Sequence, residues 1–148
     1  MKTAIIVNPY SGGSRTGSMW KLIGDEVRSR LGGLEEFITA KPMDATRFAT
    51  QIAQSDFEFL IIAGGDGTIN EAINGLFDEN NNPLNPGLKI GILSAGRGCD
   101  LIRSLNIPPD YREAMDILVN PTFRKMDLGV VYFKDEFGRD QKRIFHNI

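Results

Sequence analysis

Residues 59–68, Phe-Leu-Ile-Ile-Ala-Gly-Gly-Asp-Gly-Thr, are the stretch that sets the fold class of this chain. Their five apolar residues run directly into the turn Gly-Gly-Asp-Gly. A short, continuously apolar run is typical of a strand buried on both faces, as in a parallel sheet covered by helices. Apolar residues then recur at helical spacing from Ile69 to Leu76. The stretch therefore predicts a strand, a glycine-rich turn and a helix, in that order.

The same pattern occurs before and after this stretch. An apolar, β-branched run at residues 2–8 leads into a glycine-rich loop at 11–17, and a helix is predicted from Ser18. Another run, at residues 89–93, leads into a third such loop at 96–100. Strands that alternate with helices form parallel βαβ units. The sequence therefore predicts an α/β fold, a three-layer, open, mostly parallel sheet with helices on both faces.

Weaker signals complete this α/β unit. Residues 34–38 predict a second strand, and Asp44 is suited to be the N-cap of an amphipathic helix. Residues 78–87 are rich in Asn, Pro and Gly, which predicts a surface loop. Residues 111–118 predict a last helix.

Two strand-like segments follow that helix and break the alternation. They span residues 123–133 and 143–148, with a Gly-Arg-Asp turn between them. Neighbouring strands joined by a turn are typical of an antiparallel sheet. We therefore predict an α/β domain over residues 1–126. Residues 127–148 are expected to form a linker and the first strands of a β domain that this sequence does not contain.

Composition narrows the function classes. The chain has 148 residues and a formal net charge of −2, so it presents no overall basic field, and a nucleic-acid partner is not expected. Its one cysteine, Cys99, allows no intrachain disulfide and suits a reducing compartment, and its one histidine, His146, rules out a histidine-rich metal site. No stretch approaches the roughly 20 apolar residues of a membrane-spanning helix. We expect a cytoplasmic protein without a transmembrane segment.

The three glycine-rich loops predict a phosphate site. In an open α/β sheet the carboxyl ends of parallel strands meet at one edge, and ligands bind there. Successive backbone N–H groups and helix N-termini in such loops attract anions. Asp66 and Asp100 lie in two of these loops, and a carboxylate beside bound phosphate favours an intervening cation such as Mg²⁺. A single loop of this kind could simply mark a turn, but three at equivalent positions favour a ligand.

Two well-known phosphate motifs do not fit. Gly12 and Gly17 have the spacing of a P-loop, but Ser18 stands where that motif requires lysine. No GxGxxG sequence opens a helix, so a dinucleotide-binding Rossmann site is not supported. The α/β fold class remains, without either of these ligand assignments.

Three segments resemble those of a known family: NPYSGG at 8–13, GGDGTINEAINGL at 64–76 and IGILSAGRGCDLIRSLNIP at 90–108. Together they resemble the ATP-binding domain of diacylglycerol kinases and the related sphingosine kinases and bacterial lipid kinases. RKMDLGVVYF at 124–133 and RIFHNI at 143–148 are similar to the region that joins that domain to the family's C-terminal β-sandwich. GGDGTxxE is the most specific element, although nicotinamide-dinucleotide kinases and phosphofructokinases carry related GGDG loops.

The resemblance implies transfer of the γ-phosphoryl group of ATP to a lipid hydroxyl, with ATP and Mg²⁺ as cofactors. The lipid would be met at the membrane surface, so peripheral membrane contact is expected. In this family the lipid site and the general base come largely from the β-sandwich. We therefore expect this chain to supply the nucleotide-binding half and to have little or no lipid kinase activity alone. Homodimerisation is left open.

The resemblance also implies specific nucleotide contacts. Those to the phosphates and ribose are Asn8, Pro9, Ser11, Gly12, Gly65, Gly67 and Thr68. Thr39 would lie near the nucleoside, and Glu71 would orient the GGDGT loop. Gly96 and Arg97 would face the nucleotide from the third loop.

Three aspartates match the network that holds Mg²⁺ through water in this family: Asp66, Asp100 and Asp127. Asp66 is also the expected catalytic residue, either as part of the metal network or as a base. The alternative is that its side chain only caps the helix that follows, because aspartate is a good N-cap.

The third loop departs from the family pattern. Where the family usually reads Pro-x-Gly-Thr-x-Asn-Asp, this chain reads Ser-Ala-Gly-Arg-Gly-Cys-Asp at residues 94–100. Arg97 could hold phosphate with two hydrogen bonds or narrow the pocket. Cys99 could have a lowered pKa near a helix N-terminus, but an inert thiol is the commoner case. A kinase for a soluble alcohol or dinucleotide, and a non-catalytic nucleotide-sensing domain, therefore stay open as alternatives.

Overall fold

A computed structural model describes residues 1–95 and 99–146. The helices and strands of these ranges, in chain order, are β1 (Thr3–Val7), α1 (Ser11–Leu31), β2 (Leu34–Ile38), α2 (Asp44–Ala53), β3 (Phe59–Ala63), α3 (Asp66–Gly75), β4 (Lys89–Leu93), α4 (Asp100–Ser104), α5 (Tyr111–Val119), β5 (Gly129–Lys134) and β6 (Asp140–Phe145). The strand and helix predicted from residues 59–68 are thus β3 and α3.

The first four strands form one parallel sheet in the order β2-β1-β3-β4. The register aligns the strand ends, because Val7 of β1 pairs with Ala63 of β3 and Ala63 pairs with Leu93 of β4. The amides of Asn8 and Gly64 continue this ladder, donating to the carbonyls of Ala63 and Leu93. The loops after β1, β3 and β4 therefore leave the sheet at one edge, as predicted.

Helices cover both faces of this sheet. Alternate residues of β1 point to opposite faces, so Ala4 and Ile6 pack with α2, α3 and α4, whereas Ile5 and Val7 pack with α1 and α5. All residues of β1 and β3 are buried, which explains their unbroken apolar sequences. The predicted three-layer α/β architecture is confirmed.

Two helix starts differ from the prediction. The segment α1 spans Ser11–Leu31, but Gly12, Gly13 and Ser14 have non-helical backbones with left-handed φ values of 63°, 66° and 70°. A kink therefore precedes the regular helix, which starts before Ser18. Glycine and local hydrogen bonding permit this conformation, which sequence periodicity cannot detect. Met43, not Asp44, is the N-cap of α2. The buried Asp44 carboxylate instead accepts from the amides of Ala40 and Lys41, at 2.9 and 3.1 Å.

The segment predicted as a strand at 123–133 is only partly a strand. Residues 120–128 form neither helix nor strand, and β5 begins at Gly129. β5 and β6 pair antiparallel, as predicted, and Gly138 has the left-handed φ of 73° that the turn between them requires. Residues 147 and 148, at the end of the second predicted strand, lie outside the described residues.

The β5–β6 hairpin packs against α3 through Ile144, which is 3% exposed and belongs to the same core as α3. Residues of both the predicted 1–126 and 127–148 regions thus share this core, and the domain boundary at 126 stays a prediction. Among the described residues, no helix is both long and apolar enough to cross a membrane.

Candidate functional site

A side-chain hydrogen bond joins the loop after β1 to the loop after β3. Asn8 Nδ2 donates to Thr68 Oγ1 at 2.9 Å, and Asn8 Oδ1 accepts from the Tyr10 amide at 3.1 Å. The Asn8 backbone carbonyl accepts from Ser11 Oγ at 3.0 Å. The predicted residues Asn8, Ser11 and Thr68 therefore lie together, although 60 positions separate the first from the last.

The first loop is shaped by close backbone packing. The Gly17 amide donates to the Pro9 carbonyl at 3.0 Å, and a Cβ on Gly17 would lie 2.8 Å from that same oxygen. Gly12 and Gly13 have left-handed backbones and exposed positions. Gly12 and Gly13 thus present exposed backbone at this loop, beside the exposed side chains of Tyr10 and Arg15. Exposed backbone N–H groups are what a phosphate site requires.

The second loop uses its glycines in two different ways. A Cβ on Gly64 would lie 2.7 Å from both Cβ and Oγ1 of Thr68, so Gly64 allows the turn to close on Thr68. A Cβ on Gly65 or Gly67 would meet no described atom within 4 Å, so these two glycines border open space. Gly65 is the N-cap of α3, and no side chain from the described part of the chain caps that end. The N-terminus of α3 therefore faces this space.

Asp66 does not cap its own helix but binds the start of α4. Its Oδ2 accepts from the Asp100 amide at 2.8 Å, and its Oδ1 accepts from the Leu101 amide at 3.4 Å. Oδ1 also accepts from Cys99 Sγ and from His146 Nε2, each at 3.3 Å. Asp66 thus links the second loop, the third loop and the end of β6.

These contacts decide the ionisation of two groups. Burial favours the neutral form of Asp66, but hydrogen bonds from the Asp100 amide, Cys99 and His146 outweigh it and lower the pKa of this carboxyl. Burial and the nearby Asp66 carboxylate raise the pKa of Cys99 to about 11. The raised pKa and an exposure of 1% favour the inert thiol over the reactive one at Cys99.

The predicted metal aspartates do not converge. The exposed Asp100 side chain pairs with Arg103 at 3.0 Å, and the exposed Asp127 lies in the segment before β5. Over residues 1–95 and 99–146, no three His, Cys, Asp or Glu side chains form a group that could hold a metal ion. Direct coordination by these three residues is thus not supported, and their role through water stays a prediction.

For the other predicted site residues that the structure describes, it gives backbone hydrogen bonds and no side-chain hydrogen bond within the site. Buried Thr39 follows β2 at the same sheet edge, where its amide donates to the Val7 carbonyl at 2.9 Å. The Glu71 carbonyl accepts from Thr46 Oγ1 at 2.9 Å, which ties α3 to α2. Gly96 and Arg97 lie outside the described residues.

Three residues near this site were not found from the sequence. Asn70 and Asn74 of α3 bind the backbone of Ile144 in β6, and His146 reaches Asp66. The one available signal was the spacing of the two asparagines, which puts them on the same face of α3. Asparagine inside a helix is unfavourable unless its amide has a partner.

The sequence of this chain also matches the model of a known protein family. The model of the diacylglycerol kinase catalytic domain matches residues 2–131, from β1 into β5. This chain belongs to that family. The match includes all three loops at the sheet edge and thus confirms the resemblance seen in their sequences.

Relatives and solved structures give the same result. The chain is 35% identical over 132 residues to a diacylglycerol kinase of Staphylococcus carnosus, covering 86% of this chain and 40% of the relative. A diacylglycerol kinase of Staphylococcus epidermidis is 33% identical, with 86% and 39% covered. A crystal structure of a diacylglycerol kinase from Bacillus anthracis superimposes with a TM-score of 0.71 at 26% identity, covering 87% of this chain and 43% of that one. The chain therefore spans about two fifths of the length of these relatives.

Proposed function

We propose that this chain supplies the nucleotide-binding part of an ATP-dependent lipid kinase. The bond between Asn8 and Thr68 carries the proposal, because it brings the first and second glycine-rich loops together at the carboxyl edge of the sheet. The backbone of Gly12 and Gly13 and the N-terminus of α3 border that edge. Both kinds of group attract the oxygens of a polyphosphate.

The proposed reaction transfers the γ-phosphoryl group of ATP to a lipid hydroxyl, as the names of the relatives suggest. Such transfers depend mostly on positioning and on stabilising charge on the phosphoryl oxygens. Asn8, Ser11 and Thr68 are proposed to place the phosphates, with Gly65 and Gly67 leaving room for the nucleotide. Thr39 is proposed to lie beside the nucleoside, and Gly96 and Arg97 are proposed as further nucleotide-binding residues.

Mg²⁺ enters this proposal with the ATP phosphates and not as an ion caged by the protein. The Asp66 oxygens already accept four hydrogen bonds, from the start of α4 and from His146, and the described residues contain no metal-binding group of three. Mg²⁺ characteristically keeps several waters and binds through phosphates with one or two carboxylates. Asp66, Asp100 and Asp127 are therefore proposed to act through water. When bound, the ion neutralises charge on the phosphates.

Asp66 is proposed to hold the second and third loops in register for the transfer. Its oxygens accept from the first two amides of α4, so its position and that of the third loop depend on each other. Lipid binding is assigned to the part of the relatives that this chain does not span. We therefore expect this chain alone to have little or no activity on diacylglycerol.

Amide NMR of the chain tests the proposal. Addition of ATP with Mg²⁺ is expected to shift the amides of residues 8–17 and 64–68 and to leave the β5–β6 turn unchanged. GTP with Mg²⁺ and Mg²⁺ alone are the controls for nucleotide identity and for the ion. Shifts confined to residues away from the two loops would contradict the proposed site. Robust phosphorylation of diacylglycerol in vesicles by this chain would contradict the proposal that lipid binding needs the part of the relatives that this chain does not span.

A further inference from the structure

Helix α3 holds strand β6 by its asparagine side chains. Asn74 Oδ1 accepts from the Ile144 amide at 2.9 Å, and Asn74 Nδ2 donates to the Ile144 carbonyl at 2.8 Å. Asn70 Nδ2 donates to the same carbonyl at 3.0 Å. The Asn74 side chain thus satisfies both backbone groups of one residue, as a neighbouring strand would do.

This arrangement fixes β6 at a defined position along α3. The side chain of Ile144 is inserted into the core that α3 shares with β1 and β3. Arg143 Nε adds a weaker hydrogen bond, at 3.3 Å, to Asn70 Oδ1. Helix α3 thus carries Asp66 in its first turn and binds the last part of β6 through Asn70 and Asn74.

His146 follows Ile144 by two residues and reaches the other end of α3. Its side chain is 1% exposed, and its Nε2 lies 3.3 Å from Asp66 Oδ1. An ionised carboxylate only accepts hydrogen bonds, so Nε2 carries the proton in this contact. Nδ1 is also buried and has no hydrogen-bond partner among the described residues. The histidine is therefore held by its bond to Asp66 and by packing, away from solvent.

His146 contacts the same carboxylate that binds the start of α4. The other donors to Asp66 are Cys99, Asp100 and Leu101, which all belong to the start of α4. His146 is the described donor that comes from a different element, so it restrains the carboxylate independently of α4. A carboxylate restrained from two sides has less freedom to rotate, and the amides that it accepts from are held with it.

We propose that His146 is a positioning residue for phosphoryl transfer, which holds the Asp66 carboxylate in the orientation that aligns the start of α4 with the GGDGT loop. The inference deepens the proposed function and rests on it for its catalytic meaning. His146 acts through Asp66 and does not touch substrate. Asn74 supports this role, because it sets the position of β6 and hence of the imidazole.

The test compares His146→Leu with His146→Gln in the whole chain. Glutamine retains an N–H donor near the position of Nε2, whereas leucine fills the space without one. In His146→Leu we expect the NMR signals of the Asp100 and Leu101 amides to move and their hydrogen exchange to accelerate roughly threefold to tenfold, the equivalent of one hydrogen bond. The affinity for ATP with Mg²⁺ should fall by a similar factor. His146→Gln should restore both properties.

Two further variants complete the design. Tyr132→Phe removes the 2.9 Å hydrogen bond that Tyr132 of the hairpin accepts from Asn81 in the loop before β4, and should leave the Asp100 amide unchanged. Asn74→Ala loosens β6 without altering the imidazole, and should reproduce the effect of His146→Leu on Asp100. If His146→Leu does not fold, Asn74→Ala provides the test in its place.

The outcomes are separable. An unchanged Asp100 amide in folded His146→Leu would overturn the inference, as would a failure of glutamine to restore it, because packing alone would then explain the histidine. If the wild-type chain does not bind ATP, the proposed function fails, while the response of the Asp100 amide still decides whether His146 positions Asp66.

Discussion

Asn8 and Thr68 meet side chain to side chain at the carboxyl edge of the sheet, with Asn8 Nδ2 donating to Thr68 Oγ1 at 2.9 Å. The bond links the ends of two adjacent parallel strands, β1 and β3. Thr68 itself is buried beneath the turn that Gly64 allows to close. The two loops therefore form one surface, which this side-chain bond and the backbone bond from the Asn8 amide to the Ala63 carbonyl hold together.

We expect Asn8→Ala to weaken the binding of ATP with Mg²⁺ by roughly twofold to tenfold, the range set by loss of one hydrogen bond of about 0.5–1.5 kcal/mol. Isothermal titration calorimetry measures this change. Tyr132→Phe is the matched control, because it removes a hydrogen bond of the same length, between Tyr132 and Asn81, away from the site. Equal affinities for Asn8→Ala and wild type would show that the two loops do not need this link.

Gly64 and Gly65 are neighbours with opposite expected behaviour. Gly64→Ala should lower the free energy of unfolding by about 1–3 kcal/mol, because its Cβ would overlap the Thr68 side chain at 2.7 Å. Gly65→Ala should leave stability nearly unchanged, since no described atom lies within 4 Å, but should weaken ATP binding. Urea unfolding and calorimetry measure the two effects. A large loss of stability in Gly65→Ala would contradict the assignment of open space to that position.

The sheet and its loops could be predicted from the sequence, because strands buried on both faces have continuously apolar sequences. The five buried residues of β1 and of β3 are continuously apolar, and each run ends in a glycine-rich turn. The start of α1 could not be predicted, because Gly12, Gly13 and Ser14 form a left-handed kink ahead of the regular helix. The bond from the Gly17 amide to the Pro9 carbonyl spans these three residues, and no periodicity of the sequence marks it.

The sequence predicted which loops form the candidate site, but not which side chains in those loops bond to one another. Asn8 and Thr68 were both expected, but their contact depends on strand order, which the sequence pattern leaves open. The contacts of Asp66 with the start of α4 and with His146 join residues 33 to 80 positions apart. No local pattern encodes such distances, so the alternative considered for Asp66 placed its cap on the wrong helix.

Cys99 makes stability fall at alkaline pH. Its pKa is raised to about 11 in the folded chain from 9.0, chiefly by burial, so the stabilisation is complete below about pH 9 and is lost as the pH rises toward 11. Cys99→Ala should show a smaller decrease in the free energy of unfolding over this range. Native wild-type chain should also react with iodoacetamide at pH 8 far more slowly than unfolded chain. Equal labelling rates would contradict the buried, protonated thiol.

Asp66 has the opposite dependence on pH. Its pKa is lowered in the folded chain, so the ionised carboxylate stabilises the fold above its unfolded pKa of roughly 3.9, and this stabilisation is lost as the pH falls through the folded value. Asp66→Asn should lower the free energy of unfolding at pH 7 by about 1–3 kcal/mol, because donors at the start of α4 lose an acceptor. The difference from wild type should shrink below pH 4.

Asp100→Asn is the control for that experiment. The Asp100 side chain is exposed and pairs with Arg103 on the surface, so we expect a change within about 1 kcal/mol. Acid titration of stability, followed by circular dichroism, compares the two variants. A difference between Asp66→Asn and wild type that persists unchanged to low pH would show that ionisation of Asp66 is not what stabilises the contact.

Calorimetric titration of this chain with ATP, with and without Mg²⁺, tests the nucleotide-binding proposal most directly, because it does not need a lipid site. We expect saturable binding of one nucleotide per chain, tighter with Mg²⁺ than without it. A chain that is folded by NMR but shows no saturable binding of ATP in either condition would contradict the proposal.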